Sequence, residues 1–278
     1  MEHGVTDQGF SADQIDTSKP HPARMYDYFL GGRDNYEVDR TAAEYVVEAH
    51  PEVRPSARAN RDFLHRAVRA VVSAGIRQII DIGTGIPTSP NTHEVAREVA
   101  PDVRVAYVDN DPIVATHAGA RLTNTANTGF VLADVREPKA ILDDPVVREL
   151  IDFDQPVGLI LGAVLHFIKD EENPAAIVAT LAEGLPAGSH LVLTHATGEP
   201  HTGGVHDRAA QTDVERVYKN ATASLSLRSR AEVQPFFAGF ELLEPGLLRV
   251  PLWRPDGRLP SDDELNKTIF YGGVGRKV

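Results

Sequence analysis

Three carboxylates in the first half of this chain each close a short apolar run: Asp81 in "QIIDIGTG", Asp109 in "VAYVDND" and Asp134 in "VLADV". Behind the first comes a loop with two glycines, Gly83, Thr84 and Gly85. Glycine at such a place permits unusual φ and removes a side chain that would stand between backbone and ligand. The residue types narrow the ligand. A dinucleotide fingerprint needs glycine at position 88, where Thr88 stands, and Pro87 interrupts the run. No Gly-Lys-Ser/Thr follows, so a Walker phosphate loop is excluded. The Asp81 carboxylate repels a pyrophosphate and suits an ammonium or sulfonium group. Asp109, with Asn110 beside it, can accept both hydroxyls of a ribose. Asp134 can accept from an adenine amino group while the Val135 N–H meets the ring. A helix N-cap explains any one of these acids. It does not explain acids at three successive strand ends with the glycine loop at the first.

These groups need a scaffold that lines up strand ends. "RQIIDIG", "VRVAYVDND", "TGFVLADV", "PVGLILGAVL" and "GSHLVLTHA" read as strands. "HEVAREVA", "PIVATHAGARL", "PVVRELI" and "PAAIVATLAEGL" read as the helices between them. That alternation predicts a mostly parallel sheet covered on both faces, with ligands beyond the carboxyl ends of its strands. Ahead of it, helices are expected from Glu37 to about His50 and from about Ser56 to the stop at Gly75. The expected organisation is a flexible N-terminus (1–19), a helical extension or lid (20–75) and a Rossmann-like domain (76–278).

Composition bounds the function. Of 278 residues, 42% are hydrophobic and 24% charged, an ordinary globular balance. A net charge of −12 argues against a nucleic-acid partner. No apolar run is long enough to span a membrane, and the N-terminus lacks a signal-peptide core. There are no cysteines, so disulfides and thiolate metal sites are excluded. A cytoplasmic protein with a small-molecule partner is the expectation. The sequence carries no signal for oligomeric state.

Other polar residues are candidates for a second substrate. Gly162 and Ala163 keep the fourth strand end open, and His166 follows by one turn. It can contact an acceptor or act as a base, or simply pack under a helix. His195, His201 and His206 lie near one loop, but their spacing fits no metal-ligand pattern and no metal is expected. The stretch "ARMYDYFLGGRDNYEVDR" has no simple apolar period. Arg24, Tyr28, Arg33 and Asn35 read as parts of a lid, with Gly31 and Gly32 as its hinge, and Tyr26 and Phe29 as a packed collar.

"IIDIGTG", "AYVDND", "LADV" and "VGLILGAVLHFI" resemble the successive motifs of class I S-adenosylmethionine-dependent methyltransferases. The resemblance implies a seven-stranded, mostly parallel sheet with its last strand reversed, and S-adenosylmethionine as cofactor. It places Asp81 near the methionine amino end, Asp109 on the ribose and Asp134 at the adenine. A narrower resemblance spans almost the whole chain. "ARMYDYFLGGRDNYEVDR", "DIGTGIPT", "VDNDP" and "YGGVGRK" are similar to an actinobacterial methyltransferase family long carried as a domain of unknown function. In that family a proline after the glycine loop is the normal form, so Pro87 stiffens the turn. The expected activity is methyl transfer to an unidentified acceptor. The alternatives are a non-catalytic protein that binds S-adenosylmethionine or S-adenosylhomocysteine, and an NAD-dependent oxidoreductase, which Asp81 and Thr88 oppose.

Overall fold

The computed structural model describes residues 17–121, 125–199 and 208–278. Most of the expected flexible N-terminus, and both His201 and His206, lie outside the described residues. The chain opens with three helices, α1 (Pro22–Leu30), α2 (Glu37–Ala49) and α3 (Val53–Ser73). The helix α1 falls in the stretch whose sequence shows no period. His21 caps it by accepting the Ala23 N–H, Pro22 opens it, and Gly31 ends it in a left-handed conformation (φ 86°). Its buried face carries Arg24 and Asp27 beside Met25 and Phe29, so charge hides the amphipathic pattern. The helix α3 starts three residues before the expected Ser56, with Pro55 accommodated in its first turn.

The sheet is built from β1 (Gln78–Ile82), β2 (Arg104–Asp109), β3 (Thr128–Leu132), β4 (Gly158–Gly162), β5 (His190–Ala196), β6 (Phe240–Leu242), β7 (Leu248–Arg249) and β8 (Phe270–Lys277). Its order is β3-β2-β1-β4-β5-β8-β6. Strands β1 to β5 are mutually parallel, and β8 runs antiparallel to both β5 and β6. This is the expected Rossmann-like sheet with a reversed last strand. The two-residue β7, which pairs with β8, is an addition that the sequence did not announce. Between the strands lie α4 (Thr92–Val99), α5 (Pro112–Arg121), α6 (Pro138–Asp143), α7 (Pro145–Leu150), α8 (Pro174–Glu183), α9 (Arg208–Lys219), α10 (Arg230–Val233) and α11 (Asp262–Asn266). None of the described helices is long and apolar enough to cross a membrane.

Successive strand residues point to opposite faces, so each central strand supplies two cores. Ile79, Val105, Tyr107, Ile160 and Val192 meet α3 and α4 on one face. Ile80, Ala106, Leu159, Leu161 and Leu191 meet α6, α7 and α8 on the other. A separate cluster of Met25, Phe29, Ala43, Val46, Val53, Ala57, Val214 and Tyr218 joins α1 and α2 to the start of α3 and to α9. Phe63 of α3 anchors the first face. It is fully buried, packs edge-on against Trp253 at 5.4 Å between centroids, and abuts β8 where only glycine at position 272 leaves room for the ring. Phe63→Ala is therefore expected to cost about 3–5 kcal/mol in urea denaturation. A loss below about 1 kcal/mol would show that this contact is not an anchor.

Candidate functional site

The loop after β1 is held from two sides. The Gly83 and Thr84 amides both donate to the Val108 carbonyl, at 2.8 and 3.2 Å, so the loop begins as an extension of the β1–β2 ladder. Gly83 (φ 72°) and Gly85 (φ 68°) then take left-handed conformations that side chains resist. Their purposes differ. A Cβ on Gly83 would meet Val164 at 2.8 Å, so this glycine makes room for protein. A Cβ on Gly85 would meet nothing within 4 Å, and that glycine borders open space. Arg61 of α3 ties down the far side of the loop by donating to the Thr88 and Pro90 carbonyls.

Asp109 closes the structure. One carboxylate oxygen accepts the Gly85 N–H at 2.8 Å and the other accepts the Asp111 N–H at 3.0 Å. Each oxygen keeps a further lone pair. Burial pushes its carboxyl up to about 6, against the pull of those N–H groups. Asp81 is likewise buried and pushed up to about 6 by loss of solvent, with the Thr92 hydroxyl donating to it at 2.6 Å. Two buried acids that make no ion pair among the described residues, with Arg61 only a distant influence on Asp81, form a place where a positively charged ligand is favoured.

Both acids line a cavity of about 660 Å³ beyond the carboxyl ends of the strands. Gly83, Thr84, Gly85, Asn110, Val135 and Gly162 line it too, as do Arg24 and His166. Asp134 does not. Its carboxylate takes hydrogen bonds from Asn110 and from the Arg136 N–H and guanidinium. Burial pushes that carboxyl up, but these bonds outweigh it and hold it below the ordinary value. Ala133 and Val135 face the cavity in its place. At the open end of β4, Ala163 adopts φ 57°, uncommon for a residue with a Cβ, and donates to Thr194. His166 is buried, and its Nδ1 accepts the Ala196 N–H at 3.3 Å, which leaves the ring proton on Nε2. Burial, then His195 and Arg228, hold it well below the ordinary imidazole value. His166 is thus a neutral ring whose Nδ1 is already engaged.

The N-terminal residues divide differently from the expected lid. Arg33 is exposed and does not border the cavity. Asn35 is buried within its own turn, donating to Asp27 and to the Gly32 carbonyl while Arg40 donates to it. Tyr28 donates to Glu44 and also lies off the cavity. Gly31 is a helix cap rather than half of a hinge. Of this set Arg24 alone reaches the cavity. It pairs with Asp111 at 3.3 Å and Asp39 at 3.5 Å, and His21 joins Asp111 at 3.2 Å. The sequence carried one sign of these partners, the acid two residues after Asp109. Tyr26 and Phe29, expected as collar, also border the cavity.

The S-adenosyl methyltransferase family model matches residues 8–278. A DUF574 family protein of Streptomyces avermitilis, known from its crystal structure, is similar at 42% identity over 95% of this chain and 100% of that one, with a TM-score of 0.88. A candidate methyltransferase of Thermobifida fusca is similar at 40% identity over 94% and 96% of the two chains, with a TM-score of 0.86. The ornithine lipid N-methyltransferase of Singulisphaera acidiphila is 33% identical over 82 residues. That match spans 30% of this chain and 42% of the relative, so less than half of its length is shared.

The raised acids have a consequence for stability. Between about pH 4 and pH 6 the folded chain binds protons more readily than the unfolded one. Stability from this source is full below the unfolded carboxylate value of about 3.9 and is lost as pH rises through the folded value of about 6. Asp81→Asn keeps an acceptor for Thr92 and removes the buried charge. It is expected to stabilise the ligand-free protein by on the order of 2 kcal/mol at pH 7.5 in urea, and by little at pH 4. The same shift at both pH values would count against buried charge as the cause.

Proposed function

The chain belongs to the S-adenosyl methyltransferase family, and from that premise we propose that it moves the methyl group of S-adenosylmethionine to a small-molecule acceptor. The observation that carries the reading is Asp109, fixed by the Gly85 and Asp111 amides at the wall of a cavity that also holds Asp81. When bound, the cofactor supplies an electrophilic methyl carbon on a sulfonium. The chain's own residues bind and orient. Asp109 accepts the ribose hydroxyls on the lone pairs its amide partners leave. Asp81 provides negative potential for the amino end. Ala133 and Val135 flank the adenine, with the Val135 N–H as donor, and Asn110 covers its edge. Gly162 borders the cavity and makes room for Leu64, which a Cβ there would meet at 3.0 Å.

Methyl transfer asks mainly for alignment and exclusion of water. His166 contributes as a neutral ring that can donate from Nε2, because its Nδ1 lone pair is engaged. We take residues 20–75 as an extension that closes the site, with Arg24 paired to Asp111. The negative net charge and the cavity support a small molecule over a nucleic acid, and we propose the cytoplasm as its place of work.

Asp109→Ala is expected to weaken S-adenosylhomocysteine binding by about a hundredfold or more in calorimetry. Wild-type affinity should fall as pH is lowered through about 6, where Asp109 and Asp81 take up protons. Wild-type protein with S-adenosylmethionine and a metabolite extract should release S-adenosylhomocysteine. Unchanged affinity in the variant would remove Asp109 from the site, and absence of cofactor binding by the wild type would end the reading.

A further inference from the structure

The cavity runs well past the acids. Away from the strand ends its wall is made by the helices that the class I sheet does not require: Phe29 of α1, Val46 of α2, Val53 and Ala57 of α3, and Val214 and Tyr218 of α9. Phe167 and Phe270 complete it from the sheet side. At about 660 Å³ the whole space lies within the range for small-molecule sites, and its lining extends from the strand-end acids to these helices.

The arginines on its wall are already committed. Arg61 donates to two loop carbonyls, Arg136 pairs with Asp134 and Glu172, and Arg24 pairs with Asp111 and Asp39. Glu199 accepts from Arg230 N–H and Tyr271, and Glu52 is paired with His50. A charged ligand would enter the apolar part without a counter-charge waiting for it, which is costly.

Two cavity-lining residues of α3 carry a buried polar atom without a hydrogen-bond partner among the described residues, His65 at Nε2 and Asn60 at Oδ1, and Asn60 is the one a turn from Ala57 of the apolar wall. Asn60 of α3 is 1% exposed and borders the cavity, and its Oδ1 has no hydrogen-bond partner among the described residues. Its amide nitrogen faces Tyr26. Tyr26 spends its hydroxyl proton on the Ala57 carbonyl at 3.0 Å and must receive from Asn60 Nδ2 at 2.9 Å. The carbonyl oxygen is thereby left facing outward from this pair, buried and lacking a donor. Such an atom costs free energy until a donor reaches it. It lies one helical turn from Leu64, the side chain closest to Gly162.

We propose that this apolar lobe is the acceptor site, and that it takes an uncharged, largely apolar small molecule whose N–H or O–H donates to Asn60 Oδ1. The inference rests on the methyl-transfer reading and specifies its substrate class. Asn60 acts as a positioning and specificity residue, bringing the donor-bearing atom of the acceptor to the open end of β4.

The test uses the full chain saturated with S-adenosylhomocysteine and three probes of one shape: 1-naphthylamine, naphthalene and 1-naphthoate, followed by fluorescence titration at pH 7.5. The wild type should bind 1-naphthylamine saturably at one site and 1-naphthoate at least about tenfold more weakly. Asn60→Leu should weaken 1-naphthylamine by about tenfold and leave naphthalene and S-adenosylhomocysteine unchanged. Ala57→Phe should exclude naphthylamine and naphthalene together, and the milder Ala57→Val should weaken both should the larger residue prevent folding. Equal binding of naphthoate and naphthylamine overturns the uncharged class. A drop in S-adenosylhomocysteine affinity in Asn60→Leu gives Asn60 to the cofactor and overturns its proposed role. Failure of the wild type to bind S-adenosylhomocysteine would defeat the function proposed above, while the same probes titrated without it still judge the lobe.

Discussion

The site is organised by one buried carboxylate. Asp109 has lost its water and is compensated by backbone amides rather than by a cation, one from the glycine loop and one from the start of α5. That fixes two segments from different crossovers relative to each other. Asp111 passes the constraint on. It caps α5 through the Ile113 N–H and takes Arg24 of the extension on its other oxygen. Asp39, fully buried, then receives Arg24 along with the His21 and Tyr36 amides. A line of acids and their donors thus runs from the loop after β1 to the start of α2. Removing one partner of such a buried pair is costly, since the other is left charged and unpaired. The extension is therefore held by the same acids that make the ligand end of the cavity.

This explains why the polar turn between α1 and α2 has little to do with ligand. Asp27 is pushed above its ordinary value by burial, and it collects the Asn35 amide and the Asp34 N–H. Arg40 covers Asn35 from outside. The residues with the most suggestive chemistry, Arg33, Asn35 and the two glycines, serve a tight helix-to-helix connection. The less suggestive aromatics on the buried face of α1 border the cavity.

The central strands were legible because strands buried on both faces appear as continuous apolar runs, and because an acid at a strand end interrupts such a run visibly. The reversed last strand came from the family resemblance, since nothing in "TIFYGGVGRKV" states its direction. The helix α1 was not legible: ion pairs inside the fold put charged residues on its buried face, and periodicity sees only hydrophobicity. Asp134 reads in the sequence like Asp109, one acid per strand end. The difference lies in neighbours far away in the chain. Asp109 meets only backbone amides and stays buried, whereas Asp134 meets Asn110 and Arg136 and turns away from the cavity. Arg61 was equally invisible, since its partners are carbonyls that no residue type records.

The wall around His166 points to a division of labour in the chain. Arg228 is buried and reaches the carbonyls of Leu165 and Ile168, the exposed Asp170 and His195 Nε2, so it pins the turn after β4. Because Arg228 donates to Nε2, His195 must carry its proton on Nδ1, where it donates to the Ala196 carbonyl. Burial, with the guanidinium adding to it against that bond, lowers its value to about 4. The Ser226 N–H holds the His166 carbonyl from the same segment. His166 at the cavity wall and His195, 5.5 Å from it between ring centroids, are thus kept neutral by residues that follow α9, far from the cofactor motifs in sequence. Neutral rings and apolar helices favour transfer by alignment over transfer by proton removal. On the proposed reading the two halves of recognition are separate: strand-end acids answer to the cofactor, and the extension with α9 answers to the acceptor. Substitutions in those helices can therefore change the acceptor while the acids and their amide partners remain as they are.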